Sequence, residues 1–385
     1  MAPSIEGNCE PKFRRVRDAF VSNFETMGEV GAAVAVTVDG NPVLDLWAGY
    51  ADKARTRPWT KDTLVNVYST TKGLTAMCAH RLVDQGKLDL DAPVARYWPE
   101  FAQAGKEKMP VRLLLSHRAG LPAVRKPLPR EAFFQWDTMC AALAEQKPWW
   151  EPDTQFGYHA LTYGWLVGEV IHRASGKTPG TYFREQIAQP LGLDAHIGLD
   201  AKHDSRTAGI IGAPPPKPGE PNLMAEMFRD PESMSAKAIM NPPIDIVADA
   251  NTRAWRAMEL PSANGHATAR SLARIYGALA RGGEVDGYRV LTPESIVRCY
   301  TEQSKGLDAV MKVQGRIGLG FMLNCAAIPL GPNAHSFGHP GAGGSLGYAD
   351  PDAKIGFGYA MNQMGASITI DPRVTRLIDA LYASL

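Results

Sequence analysis

Ser69-Thr70-Thr71-Lys72 holds the chain's single occurrence of a serine followed three residues later by a lysine. On a helix these two positions share one face, a turn apart. A lysine placed there reaches the serine hydroxyl and assists removal of its proton, which is how a weak nucleophile is activated. Asn66-Val67-Tyr68 precedes the serine, and Leu74, Met77, Cys78 and Leu82 follow at the spacing of one helix face. Ser69 is therefore expected at a helix N-terminus, where unpaired N–H groups and the macrodipole favour developing negative charge. The same four residues also fit a serine that only caps a helix, with a surface lysine nearby.

Trp149-Trp150-Glu151-Pro152-Asp153-Thr154-Gln155-Phe156-Gly157-Tyr158-His159-Ala160 runs into a helical pattern that begins near Leu161. Tyr158 falls at the loop-to-helix junction, a place suited to a reactive side chain. A tyrosine of ordinary pKa, about 10, is a poor base at neutral pH. A lysine ammonium beside it would stabilise the phenolate and bring it into range. Tyr163 is the rival, but it lies inside the helix, where a packed aromatic is expected. Gly343-Gly344-Ser345-Leu346-Gly347 matches G-x-S-x-G, a motif that needs a strand before its serine, a helix after it and a later histidine. Here a strand and the turn Asp350-Pro351-Asp352 follow, and no histidine lies beyond His339. Ser345 is set aside as a nucleophile. The glycines around it are expected to let a ligand approach the backbone closely.

Elements at both ends of the chain must position these residues. Ala32 to Val38 and Pro42 to Trp47 flank Asp39-Gly40 and read as a hairpin. Gly344 to Tyr348 and Ile355 to Met361 flank Asp350-Pro351-Asp352 and read as another. Apolar residues at helical spacing mark Glu10 to Met27 and Arg373 to Leu385. Between the ends the pattern is helical, with Leu74 to Gln85 stopping at Gly86, Leu161 to Arg173 near Gly176, and Ser271 to Arg281 at Gly282-Gly283. One antiparallel sheet built from both ends is expected, with a mainly helical region inserted. The division places 1–66 with 262–385 and separates 67–261. A proline- and methionine-rich loop, 212–243, is expected to be irregular and to serve the site.

The 385 residues are 45% hydrophobic, enough for a large core, and carry a formal net charge of +1 without a basic stripe. Nucleic acid is not an expected partner. No apolar run reaches the roughly 18 residues of a membrane span, and the charged N-terminus lacks a signal's apolar stretch. Cys9, Cys78, Cys140, Cys299 and Cys325 are scattered and form no C-x-x-C, so neither a disulfide framework nor a metal site is expected. A soluble, cytoplasmic protein acting on a small molecule is the expectation; the oligomeric state is not legible.

Four blocks occur in order: Ser69-x-x-Lys72; His117-Arg118-Ala119-Gly120-Leu121 after Leu113 to Leu115; Tyr158 ahead of Gly164 and Leu166-Val167-Gly168-Glu169; and His339-Pro340-Gly341. In this the chain resembles the class C β-lactamase and penicillin-binding-protein superfamily, and within it the family VIII carboxylesterases. The resemblance covers nearly the whole chain. It implies an α/β fold of the serine β-lactamase type, an antiparallel sheet flanked by helices with a helical subdomain. It implies Ser69 as nucleophile, Lys72 and Tyr158 as its activating pair, and an oxyanion hole from the backbone N–H groups of Ser69 and Ala342. His117 is given a structural part away from the nucleophile. His339, Gly341, Trp149, Trp150, Met224 and Met227 are the expected substrate contacts; no metal or organic cofactor is implied.

Two departures from the lactamase pattern matter. Tyr-x-Asn reads Tyr158-His159-Ala160, so an amide is lost. Lys-Thr-Gly reads His339-Pro340-Gly341, so a fixed cation gives way to a group largely neutral at pH 7, and a hydroxyl is lost. The expected activity is hydrolysis of small, short-chain carboxylic esters through an acyl-enzyme. A β-lactamase or D,D-peptidase, an acyltransferase, and a non-catalytic homologue stand as alternatives.

Overall fold

The computed structural model describes residues 3–215, 229–367 and 369–385. Met224 and Met227 lie outside them. The N-terminal strands β1 (Ile5–Cys9), β2 (Gly31–Val38) and β3 (Asn41–Gly49) bracket the Arg14–Thr26 helix. Asp39 and Gly40 adopt φ of 48° and 82° and turn β2 into β3, the conformation that selects Asp-Gly in a two-residue hairpin. Three short strands, β4 (Val65–Asn66), β5 (Ala195–Ile197) and β6 (Gly265–Ala267), form a small sheet in the order β4-β6-β5, and β7 (Glu284–Val285) pairs with β8 (Tyr288–Arg289). The C-terminal strands are β9 (Ser304–Leu307), β10 (Gln314–Ile317), β11 (Met322–Leu323), β12 (Phe337–Pro340), β13 (Leu346–Asp350) and β14 (Ile355–Met361).

Both chain ends build one nine-stranded antiparallel sheet, ordered β1-β3-β2-β14-β13-β12-β11-β10-β9. The two expected hairpins meet where β14 pairs with β2, Ile355 opposite Val38 and Met361 opposite Ala32. The Ala269–Ala280 helix covers one face. Its approach explains the glycines: a Cβ on Gly356 would lie 2.2 Å from the Gly277 nitrogen, and one on Gly347 would lie 2.3 Å from the Tyr276 ring. Close packing of this helix, rather than a ligand, therefore demands glycine on the closing strands. On the other side Tyr359 donates to Glu29, beside Arg373 of the Pro372–Tyr382 helix.

The Thr70–Asp84 helix differs from its expected form. It is buried almost all round, Thr70, Thr71, Lys72, Thr75 and His80 included, because it runs through the middle of the molecule against β12 and the Thr162–Ser175 helix. A helix buried on every side needs no single apolar stripe. The Thr162–Ser175 helix ends on Gly176 at φ 70°, as its composition predicts. The described part of the 212–243 stretch is not all loop: Met234–Met240 is helical, and the Ser233 side chain accepts the Ala236 N–H. No helix among the described residues is long and apolar enough to cross a membrane.

Candidate active site

The small sheet leads straight to Ser69. Val67 N–H donates to the Gly265 carbonyl (2.8 Å), and Tyr68 bridges Asn264. Tyr68 then takes φ 43°, a conformation costly for a bulky side chain. Its hydroxyl is fastened to the Ile246 carbonyl at 2.8 Å. Ser69 follows as the N-cap residue in helical conformation, and its side chain makes no capping hydrogen bond. The hydroxyl is thus left to other partners.

Lys72 is wholly buried. Its Nζ lies 3.2 Å from Ser69 Oγ and donates to the carbonyls of Ala160 (2.7 Å) and Ser262 (3.0 Å). No carboxylate among the described residues pairs with it, and burial pushes its pKa far below the ordinary lysine value. Nζ stands 4.7 Å from the centre of the Tyr158 ring and 5.8 Å from that of Tyr163. Tyr158 is buried, and burial raises its pKa; the neighbouring Ser69 side chain opposes this, and Asp308 adds to the rise. The phenolate expected from a neighbouring ammonium is therefore not the resting form. Burial moves the lysine down and the tyrosine up, which favours the uncharged form of each. Tyr163 is fully buried within its helix, a packed aromatic as expected.

Two features hold Tyr158 that the sequence did not disclose. Asp308 accepts Tyr158 N–H at 2.9 Å, together with the N–H groups of Val310 (2.8 Å) and Met311 (2.7 Å). His117 lies against the tyrosine, ring centres 4.9 Å apart, so its block belongs to the site and not to a remote part of the fold. Its Nδ1 accepts His159 N–H (3.0 Å), while His159 Nε2 accepts Leu121 N–H (3.0 Å) and its Nδ1–H donates to the Gly157 carbonyl (2.7 Å). Both rings are buried and accept at one nitrogen, so both are neutral; burial takes His159 down to about 3.

His339 is buried on β12, its ring centre 6.0 Å from that of Tyr158. Its Nδ1–H donates to the Pro340 carbonyl (2.8 Å), and burial, with Lys72 nearby, lowers its pKa to about 3. His339 therefore stays uncharged through pH 6. Gly341 packs against the nucleophile's turn: a Cβ there would lie 2.2 Å from the Val67 carbonyl and 3.1 Å from Thr70 Oγ1. Among the described residues, neither Ser69 N–H nor Ala342 N–H has an acceptor. Ser345 is buried and donates to the Val67 carbonyl (2.7 Å), next to Thr70 Oγ1 at 3.2 Å. It tethers β13 to the helix start and stands on no strand-to-helix elbow.

Trp149 and Trp150 join Met234, Ala123, Ala238 and Val310 in a small apolar cluster apart from the main core. Trp150 meets His159 edge-on at 6.1 Å, and Trp149 donates to the Ala123 carbonyl at 2.8 Å. The cluster adjoins the Tyr158 loop through both His159 and Val310.

The Beta-lactamase family model matches residues 18–380. The esterase/beta-lactamase LipL of Mycobacterium tuberculosis is 35% identical, over 94% of this chain and 83% of its own. The crystal structure of a family VIII carboxylesterase is 44% identical, covers 99% of this chain and 100% of that one, and superposes with a TM-score of 0.92. A penicillin-binding-protein homologue from Caulobacter crescentus is 42% identical with the same coverage and a TM-score of 0.90. With the fold and these matches together, the chain belongs to the beta-lactamase family of serine hydrolases, alongside the family VIII carboxylesterases.

Proposed function

We propose that the protein is a carboxylesterase that cleaves small, uncharged esters through an acyl group on Ser69, with Lys72 as the base that activates it. The observation that carries this reading is the set of partners around Lys72. A neutral amine has two N–H donors and one lone pair. The carbonyls of Ala160 and Ser262 accept hydrogen bonds only, so they occupy the two donors. The third partner, Ser69 Oγ, lies 3.2 Å from Nζ, so in the neutral amine the lone pair is the group left to take the Oγ proton.

The steps follow from that arrangement. Ser69 passes its proton to Lys72 as Oγ attacks the ester carbonyl. The N–H groups of Ser69 and Ala342 receive the oxyanion. Tyr158, neutral and in reach of Ser69, gives its proton to the departing alkoxide. The Lys72 ammonium, 4.7 Å from the phenol ring, steadies the brief phenolate and returns the proton to it. Water repeats the cycle on the acyl-enzyme. Esterase relatives support the reaction class. The preference for uncharged esters rests on the lack of a cation at His339 and of an amide at Ala160.

The test combines active-site labelling with a substrate panel. Ser69→Ala abolishes fluorophosphonate labelling and p-nitrophenyl ester turnover, whereas Ser345→Ala keeps the label on Ser69. Label on a Ser345 peptide would overturn the assignment. Nitrocefin turnover equal to that of p-nitrophenyl butyrate would favour a β-lactamase, and acyl transfer to an added alcohol an acyltransferase.

A further inference from the structure

Three ionisable groups, Arg373, Asp371 and Glu29, lie buried together outside the set of reacting residues. Arg373 is 3% exposed, and its side chain has a protein partner for every arm. Nε and Nη2 bind the two oxygens of Asp371 (2.9 and 3.0 Å), and Nη1 binds Glu29 (2.9 Å) and the Gln363 carbonyl (2.9 Å). The remaining bond runs from Nη2 to the carbonyl of Gly343, at 2.8 Å. Burying such a set costs desolvation that apolar residues of similar volume would avoid, so stability alone is a poor reason for it.

Gly343 belongs to the turn after β12 that carries Ala342. Gly343 and Gly344 take φ of 80° and 126°, and glycine itself imposes no preference among such conformations. The turn must be fixed by its surroundings. Gly341 N–H donates to the Ser345 carbonyl (2.7 Å), Gly344 N–H to the Gly341 carbonyl (3.0 Å), and Gly365 N–H shares the Gly343 carbonyl with Arg373 (2.9 Å). Arg373 is the one charged side chain among these anchors. It belongs to the last helix of the chain, 30 residues beyond the group it holds.

We propose that Arg373 is a positioning residue for acyl transfer: its grip on the Gly343 carbonyl fixes the Gly341–Gly344 turn and thereby the aim of Ala342 N–H at the oxyanion. The proposal rests on the reading of Ser69 and Ala342 as the oxyanion donors. Asp371 and Glu29 hold the guanidinium in place. Misaim of a donor weakens binding of the tetrahedral state and leaves binding of the planar ester nearly untouched, so the loss falls on kcat rather than KM.

The experiment compares Arg373→Met, Arg373→Lys and Leu377→Ala with wild type. Leu377 is buried one turn further along the same helix and makes no hydrogen bond to the turn, so it reports the cost of loosening that helix. Active sites are counted by fluorophosphonate titration, well below each variant's Tm. Arg373→Met is expected to lose about 10- to 100-fold in kcat per titrated site, with KM within about twofold. Affinity for an alkylboronic acid, which mimics the tetrahedral state, is expected to fall in parallel. Arg373→Lys keeps a cation but not the fork, and is expected to recover part of both. Leu377→Ala lowers Tm and keeps kcat per site. Wild-type kcat per site and boronate affinity in whichever Arg373 variants fold would reduce Arg373 to a structural role and overturn the proposal. Failure to label Ser69 in the wild type is a separate result, and would overturn the catalytic reading beneath it.

Discussion

At the scale of single residues, the chemistry depends on which proton rests where. In the proposed mechanism Lys72 and Tyr158 each set the other's useful protonation state, so their losses are expected to overlap. Lys72→Ala and Tyr158→Phe are each expected to cost about three orders of magnitude or more in kcat, and the double variant little beyond either. Additive losses would separate the two roles; Tyr163→Phe serves as a mild control. The proposed ester preference is also a residue-scale matter. Losing one charge-assisted contact and one hydrogen bond to a β-lactam costs on the order of 2–4 kcal/mol, roughly 30- to 1,000-fold in kcat/KM. Because His339 is held near 3, the ratio of kcat/KM for p-nitrophenyl butyrate over nitrocefin is expected to stay flat from about pH 8 to pH 6. A fall across that range would mean that His339 gains its proton there. That Ser69, Lys72 and Tyr158 come together was legible because their side chains occur at motif spacings. The Ala160 and Ser262 carbonyls were not, since any residue supplies a carbonyl. The lowered pKa of Lys72 is equally invisible in the sequence, being a property of burial.

At the scale of elements, the junction before the Thr162–Ser175 helix carries the tyrosine, and other segments hold that junction. Asp308 gathers N–H groups from its own loop and from Tyr158, so it fastens the loop after β9 to the reacting centre. Asp308→Ala leaves those groups unpaired and is expected to cost about 2–4 kcal/mol of stability. It is also expected to lower kcat per titrated site more than it raises KM. An unchanged kcat per site would confine Asp308 to folding. The Met234–Met240 helix seals the tryptophan cluster beside the same loop. Met234→Ala is expected to move the preferred acyl-chain length of a p-nitrophenyl ester series. A profile unchanged with Met224, Met227 and Met234 all replaced would remove this segment from substrate selection. The hairpins and the long helices could be read from alternation, Asp-Gly and helical spacing. The helix at 234–240 was hidden by the prolines on either side of it, and Asp308 sits in no motif. Its partner Tyr158 is 150 residues away, a contact only the folded chain reveals.

At the scale of the whole molecule, charge and burial govern the response to acid. His80, His117, His159, His266 and His339 are all buried with lowered pKa values, five sites that stay neutral in the fold. In the unfolded chain each takes a proton near pH 6.5. Their contribution to stability is therefore present above about 6.5 and lost as pH falls, at about 1.4 kcal/mol per pH unit for each proton. Glu29, raised to about 7 by burial against the pull of Arg373, acts in the opposite sense with a single proton, and Asp308 and Glu259 do so at lower pH. Unfolding at pH 5 to 6 thus takes up protons on balance, and Tm is expected to drop steadily from pH 7 to pH 5. A flat or rising Tm would contradict the neutral histidines. The two-part division of the chain stands as our proposal for how the site is framed, with Lys72 drawing on the carbonyl of Ala160 from one part and that of Ser262 from the other.

The pairing of β2 with β14 also has a consequence for biosynthesis. Val38 and its partner Ile355 are separated by 355 − 38 = 317 residues, so the N-terminal hairpin leaves the ribosome long before its neighbour exists. At about 5–20 residues per second, the wait is roughly 15 to 60 s. Throughout it, the β2 edge is a bare row of amide and carbonyl groups, open to any other nascent strand. The Ser69 turn is then also without Gly341 and the Ser345 tether, both of which come from the far end of the chain. The packing around the nucleophile is therefore incomplete until the last strands have been made.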